Sequence, residues 1–170
     1  MPPDAAGVSP ADVVAETLSR RGWTLATAES CTGGLLGKTI TDRPGSSAFY
    51  AGGVIAYANE IKVSQLGVSP EDLAAHGAVS ESVAAQMADG VRDRFASDVA
   101  LSVTGVAGPG GGTDQKPVGT VWMAVRHPGS PGGGLQIKRT FDGGRDQIRR
   151  ESVEFLIDAL AKSLQGGRRV

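Results

Sequence analysis

A serine, a cysteine and a lysine stand at positions where an α/β chain could use them. The stretch Ala28-Glu29-Ser30-Cys31-Thr32-Gly33-Gly34 joins an apolar run to a helix start, and open α/β sheets seat ligands beyond the carboxyl ends of their strands. A helix N-terminus adds unpaired N–H groups and the positive end of a dipole. A Ser30 hydroxyl in that turn would face preset oxyanion donors, the backbone amides of about residues 31–34. The same residues also suit a structural role, with Ser30 or Thr32 capping the helix, and the turn alone leaves both readings open. Cys31 is a rival nucleophile, because a thiol at a helix N-terminus has a lowered pKa. Thiol enzymes usually enlist a histidine base, and this chain has two histidines. His127 precedes Pro128 in a Gly/Pro-rich loop and reads as surface, while His76, in Ala75-His76-Gly77, reads as part of a helix C-terminal cap.

A serine without a histidine can take a lysine as its base. Tyr57-Ala58-Asn59-Glu60-Ile61-Lys62 offers one at the next strand–helix junction. There Tyr57 ends the strand, Asn59 caps the helix, and Lys62 occupies the third helical position, from which its amine leans back over the helix start. To serve as a base it must be neutral near pH 7, which takes desolvation or a nearby positive end. A solvated Lys62 paired with Glu60 is the structural alternative.

Two glycine-rich stretches fall short of nucleotide motifs. Thr32-Gly33-Gly34-Leu35-Leu36-Gly37-Lys38-Thr39 resembles a phosphate loop but opens with Thr32 where that motif needs glycine, and no apolar run downstream ends in a metal-binding aspartate. Gly105-Val106-Ala107-Gly108-Pro109-Gly110-Gly111-Gly112-Thr113 fails the dinucleotide fingerprint, with Thr113 at the third glycine position and Pro109 inside. A glycine loop at a strand end still suits a phosphate or ribose through its N–H groups, or it is a plain turn. Arg145 follows Gly143-Gly144 and can reach a phosphate; Arg149 and Arg150 read as a solvated basic face.

The elements that must carry these residues follow from pattern. A chain of 170 residues makes one domain with room for a core. Of 25 glycines, eighteen cluster at 33–53, 105–119 and 129–144, which marks loops rather than a low-complexity tail. Ser9-Pro10-Ala11-Asp12 starts a helix to about residue 21. Strands are expected at 24–28, 53–58, 99–104, 118–126 and 135–141. Helices are expected at 33–41, 59–66, from Ser80 with Val83, Met87, Val91 and Phe95 as its buried stripe, and at 145–164. Strands interleaved with helices mean a layered α/β domain. The pair 118–126 and 135–141, joined by a short loop, makes an antiparallel hairpin and so a mixed sheet. Residues 1–8 read as a disordered start, 9–165 as the domain, and 166–170 as a flexible basic tail.

Composition removes several functions. Seventeen Lys+Arg against eighteen Asp+Glu leave a net charge of −1, which argues against nucleic acid as a partner. One cysteine rules out an internal disulfide, and with two histidines makes a Cys/His zinc site implausible. No apolar run approaches a membrane span, and Met1-Pro2-Pro3-Asp4 lacks the start of a signal peptide. The expectation is a soluble, cytoplasmic protein that uses no metal.

Several motifs in order resemble one family. They are Thr27-Ala28-Glu29-Ser30-Cys31-Thr32-Gly33-Gly34, Pro44-Gly45-Ser46-Ser47, Gly52-Gly53-Val54-Ile55-Ala56-Tyr57, Asn59-Glu60-Ile61-Lys62, His76-Gly77-Ala78-Val79-Ser80, the 103–113 glycine loop and Lys116-Pro117-Val118-Gly119-Thr120-Val121. The chain is similar over about residues 11–164 to the CinA C-terminal domain family, whose active members are nicotinamide-mononucleotide deamidases. The resemblance implies a three-layer α/β/α sandwich with a mixed sheet, a homo-oligomer, and hydrolysis of nicotinamide mononucleotide to nicotinate mononucleotide and ammonia in pyridine-nucleotide recycling. It implies Ser30 as nucleophile, Lys62 as base and Tyr57 nearby to relay or orient the proton, with no cofactor. It places Cys31, Thr32, Gly33, Gly34, Thr104, Gly105 and Arg145 around the substrate. The alternatives within the same resemblance are a silent pyridine-nucleotide-binding module and an interaction protein linked to competence or DNA damage.

Overall fold

Ser9 opens the first helix with a reciprocal cap: its hydroxyl accepts the Asp12 N–H, and the Asp12 carboxylate accepts the Ser9 N–H. The computed structural model describes residues 7–166, so nearly all of the expected disordered start at 1–8 and flexible tail at 166–170 lie outside the described residues. The elements in chain order are α1 (Pro10–Arg21), β1 (Leu25–Glu29), α2 (Leu35–Thr41), β2 (Tyr50–Ile55), α3 (Asn59–Leu66), α4 (Pro70–His76), α5 (Glu81–Phe95), β3 (Val99–Gly105), β4 (Thr120–Arg126), β5 (Leu135–Thr140) and α6 (Arg145–Leu164). Short 3-10 turns at Ser46–Ala48 and Pro131–Gly133 lead into β2 and β5.

The sheet runs β2-β1-β3-β4-β5. β1 is parallel to both β2 and β3, while β4 and β5 add on antiparallel, the mixed sheet and hairpin expected from the sequence. Its two faces differ in side-chain size. One face presents Leu25, Leu101, Val103, Val121 and Met123 to Leu18 of α1, Leu36 and Ile40 of α2, and Ile148, Leu156 and Leu160 of α6. The other presents Ala26, Ala28, Ala100 and Ala124, small enough for α5 to approach with Val83, Met87 and Val91 while α3 packs beside it through Leu66. The result is a single-domain, three-layer α/β/α sandwich. Because β1 lies between two parallel neighbours, the loops leaving β1, β2 and β3 converge at one edge, where such sheets bind ligands.

Several local expectations shift. α2 begins at Leu35 rather than at residue 33, because Gly33 and Gly34 have φ of 56° and 103°, outside helical space. The second strand is Tyr50–Ile55, so Tyr57 lies two residues past its end. Ala58 takes the N-cap of α3 with no side-chain bond, which makes Asn59 the first helical residue and Lys62 the fourth. His127 is buried, not on the surface: Nε2 is 2.7 Å from Ser163 Oγ on α6 and Nδ1 is 2.9 Å from the Pro128 carbonyl. Among the described residues no helix is long and apolar enough to cross a membrane.

Candidate active site

Ser30 continues β1 beyond its last residue, its N–H donating to the Val103 carbonyl of β3 at 2.9 Å. The chain then reverses through Gly33 and Gly34, and the Glu29 side chain folds underneath α2. Glu29 is 2% exposed. Its carboxylate accepts from Thr32 Oγ1 at 2.6 Å and from the N–H groups of Gly34, Leu36 and Gly37 at 3.0, 3.0 and 2.8 Å. Neither Ser30 nor Thr32 therefore caps this helix. Glu29 does, with charge-assisted bonds to the helix's unpaired amides. Sequence reasoning missed Glu29 in this role. Its signal was a carboxylate two residues after Thr27 on a fully buried strand, where an unpaired charge would be costly.

Relieved of capping, the Ser30 hydroxyl meets Lys62. The amine leans back over the start of α3 and donates at 2.8 Å to the Ala56 carbonyl and at 3.1 Å to the Tyr57 carbonyl, and it lies 3.0 Å from Ser30 Oγ. Lys62 is 1% exposed, which excludes the solvated alternative. Burial pulls its pKa below the usual lysine value, with Cys31 and then Glu60 acting in the opposite direction. A neutral amine has two N–H bonds and one lone pair. Two backbone carbonyls, which can only accept, would use both N–H bonds of that neutral form and leave its lone pair for the Ser30 hydroxyl, whereas the charged amine donates to Ser30 Oγ.

Cys31 fails as a rival. It is buried within the core cluster beneath α2 and α6, and burial pushes its thiol up to about 12, opposite to the lowering expected at a helix N-terminus. It is a protonated, hydrophobic side chain at neutral pH.

The oxyanion donors narrow as well. The Gly33 N–H is spent on the Ser30 carbonyl at 3.1 Å and the Gly34 N–H on Glu29. Of the four amides expected, those of Cys31 and Thr32 have no partner among the described residues. Thr32, Gly33 and Gly34 do not line the cleft.

The cleft itself, about 200 Å³, is lined by Ser30, Cys31, Tyr57, Asn59, Lys62, Thr104, Gly105 and Arg145, among others. Asn59 is a lining residue the sequence reading passed over as a cap. The Tyr57 hydroxyl accepts from Arg145 Nη2 at 3.0 Å while Nη1 donates to the Gly108 carbonyl at 2.7 Å, so the phenol is tied to Arg145 and not to the Ser30–Lys62 pair. Thr104 is 1% exposed and its hydroxyl donates to the Ala78 carbonyl at 2.9 Å, holding the wall between α4 and α5. Gly105 leaves no room for a side chain, since a Cβ there would come within 2.9 Å of the Thr120 carbonyl. Lys38, the lysine of the phosphate-loop lookalike, is exposed and paired with Asp42 at 2.6 Å. A wider cleft of about 730 Å³ beyond the 77–80 wall is lined by His76, Ser82, Lys116, Trp122 and Lys138, among others. Among its described residues no nucleophile is hydrogen-bonded to a base, so chemistry rather than volume selects the smaller cleft. No group of three or more His, Cys, Asp or Glu suited to a metal occurs among the described residues.

The chain matches the CinA C-terminal domain family over residues 8–164. It is 52% identical over 154 residues, 91% of its length, to a CinA-like protein of Thermosynechococcus vestitus, and covers 37% of that protein. It is 50% identical over 155 residues, 90% of its length, to a CinA-like protein of Mycolicibacterium paratuberculosis, covering 35%. It thus spans about a third of the length of the curated relatives it matches. Among solved structures, the competence/damage inducible protein CihA of Agrobacterium tumefaciens superposes with a TM-score of 0.86 at 39% identity, covering 92% of this chain and 93% of that one. A CinA superfamily protein of Klebsiella pneumoniae does so with a TM-score of 0.86 at 37% identity, covering 92% and 96%. With a family match across nearly all of the described residues and the same fold in its solved relatives, this chain belongs to the CinA C-terminal domain family.

Proposed function

We propose that the chain is an amidohydrolase that converts nicotinamide mononucleotide to nicotinate mononucleotide and ammonia through a Ser30 acyl-enzyme. The observation that carries this reading is the buried Lys62 amine 3.0 Å from Ser30 Oγ, with its other two hydrogen bonds on carbonyls. Burial disfavours the charged form of such an amine, and in its neutral form it can take the proton of the hydroxyl beside it. The nicotinamide substrate comes from the family resemblance. Arg145 supports it, since its guanidinium at the cleft, with Tyr57 beside it, suits a phosphate.

Ser30 Oγ attacks the carboxamide carbon as its proton passes to Lys62 Nζ. The oxyanion that forms is held by the N–H of Cys31, which lines the cleft, a kind of donor worth roughly 2.7–4 kcal/mol where such sites have been tested. Lys62 returns the proton to the departing nitrogen, and ammonia leaves with the broken C–N bond. Water then attacks the acyl carbon, giving its proton to Lys62, and the acid is released as Ser30 recovers a proton. Every proton has a place on Lys62, and the sequence of steps calls for no cofactor. Cys31 supplies an amide and packing to this scheme, and its sulfur takes no part.

The test is ammonia release from nicotinamide mononucleotide by the wild type beside Ser30→Ala, with binding of the nucleotide measured on both. Release is expected to vanish in the variant while binding persists. Release that survives in Ser30→Ala removes the mechanism, and no release from folded wild type leaves a pyridine-nucleotide-binding module.

A further inference from the structure

Arg149 lies one turn after Arg145 on α6, on the same side of the helix. The sequence assigns it to a solvated basic face, yet it is half-buried and crosses to the back of the nucleophile turn. Nη2 donates to the Thr32 carbonyl at 2.9 Å and lies 3.8 Å from where a Cβ on Gly33 would stand. Its Nε is buried and has no hydrogen-bond partner among the described residues. The turn is therefore gripped from two sides. Glu29 accepts from its donors, and Arg149 donates to the Thr32 carbonyl, which also accepts the Leu35 N–H at 3.1 Å.

We propose that Arg149 is a positioning residue for Ser30: by holding the Thr32 carbonyl from α6, it fixes the 30–34 turn so that the serine hydroxyl stays on Lys62. The inference rests on the Ser30–Lys62 reading. The turn's two positive-φ glycines give its backbone freedom, which Glu29 limits through Thr32 and Gly34 on one side and Arg149 limits through the Thr32 carbonyl on the other. Arg149 does not line the cleft, so it acts through the turn and not on the substrate. Its unpaired buried Nε is a standing cost of that placement, which a purely stabilising residue would avoid.

The variants are Arg149→Met, which keeps the apolar stem and loses the donor, and Arg149→Lys, which restores one donor. Each is assayed for ammonia release from nicotinamide mononucleotide, for the rate at which a fluorophosphonate labels Ser30, and for thermal midpoint. Arg149→Met is expected to lose about 10- to 100-fold in kcat and in labelling rate, the scale of a small misplacement of reacting groups. KM and thermal midpoint should stay close to wild type, and Arg149→Lys should recover part of the loss. Unchanged kcat and labelling in a folded Arg149→Met overturns the proposal. So does a rise in KM at constant kcat, which would put Arg149 on the substrate, or a loss that only tracks a lowered thermal midpoint. If wild type is labelled but releases no ammonia, the nicotinamide substrate is wrong and labelling alone decides on Arg149. If wild type is neither labelled nor active, the Ser30–Lys62 reading falls and this inference falls with it.

Discussion

Lys62 carries two opposing demands, because the burial that makes it a usable base also makes its charged form costly to fold. Its pKa lies below the usual 10.5 through burial. Between that lowered value and the value in the unfolded chain, the unfolded state binds more protons, so Lys62 makes stability rise with pH across that window. Below the window its full cost is present. Activity follows the same group with the same sign. A protonated Lys62 has no lone pair for Ser30, so kcat/KM for ammonia release is expected to fall as pH drops through the lowered pKa. The acid limb should have its midpoint below that of a solvated lysine, and Lys62→Met should abolish turnover at every pH. A profile with no acid limb at any pH where wild type stays folded would remove Lys62 as the base. At the same scale Cys31 shows why residue type alone misleads. Its position at a helix start suggested a reactive thiol, and the core around it raises its pKa to about 12 instead.

At the scale of elements, the site depends on how closely α5 lets α3 approach, since α3 carries Lys62. Gly90 sits in the middle of α5, where glycine weakens a helix, and a Cβ there would meet the Leu66 carbonyl oxygen of α3 at 1.9 Å and its carbon at 2.6 Å. The glycine is required by that contact. Gly90→Ala is expected to force the two helices apart and lower stability by about 1–3 kcal/mol, more than alanine's better helix propensity of roughly 1 kcal/mol restores. Thermal or urea unfolding measures the first effect. Turnover per folded molecule should fall as well, because Lys62 moves with α3. A variant as stable and active as wild type would mean the helices can slide without cost. α6 acts as a second such element, sending Arg145 over the cleft mouth and Arg149 to the back of the nucleophile turn.

At the scale of the whole molecule, a net charge of −1 offers no field to gather phosphate backbones. No binding to duplex DNA is expected at physiological ionic strength, and a gel-shift or anisotropy titration checks it; salt-dependent binding there would revive the reading of a DNA-damage-linked interaction protein. How much of this was legible beforehand divides by range of interaction. The sequence by itself determined the alternation of elements, because hydrophobic period, caps such as Ser9 and Ser80, and glycine clusters are local signals. It also put Ser30 and Lys62 each just past a strand, as residue types able to form a nucleophile and base. Boundaries slipped where the sign of φ decided them, as at the positive-φ Gly33 and Gly34, and His127 was misplaced because nothing in its own loop announces Ser163. Only the tertiary structure decided that Ser30 and Lys62 meet, 32 residues apart in the chain, that the Cys31 side chain is buried, and that Glu29 rather than Ser30 caps α2. Those outcomes rest on burial and on which partner each hydrogen-bonding group finds, and both are set by segments distant in sequence that the sheet brings to one edge.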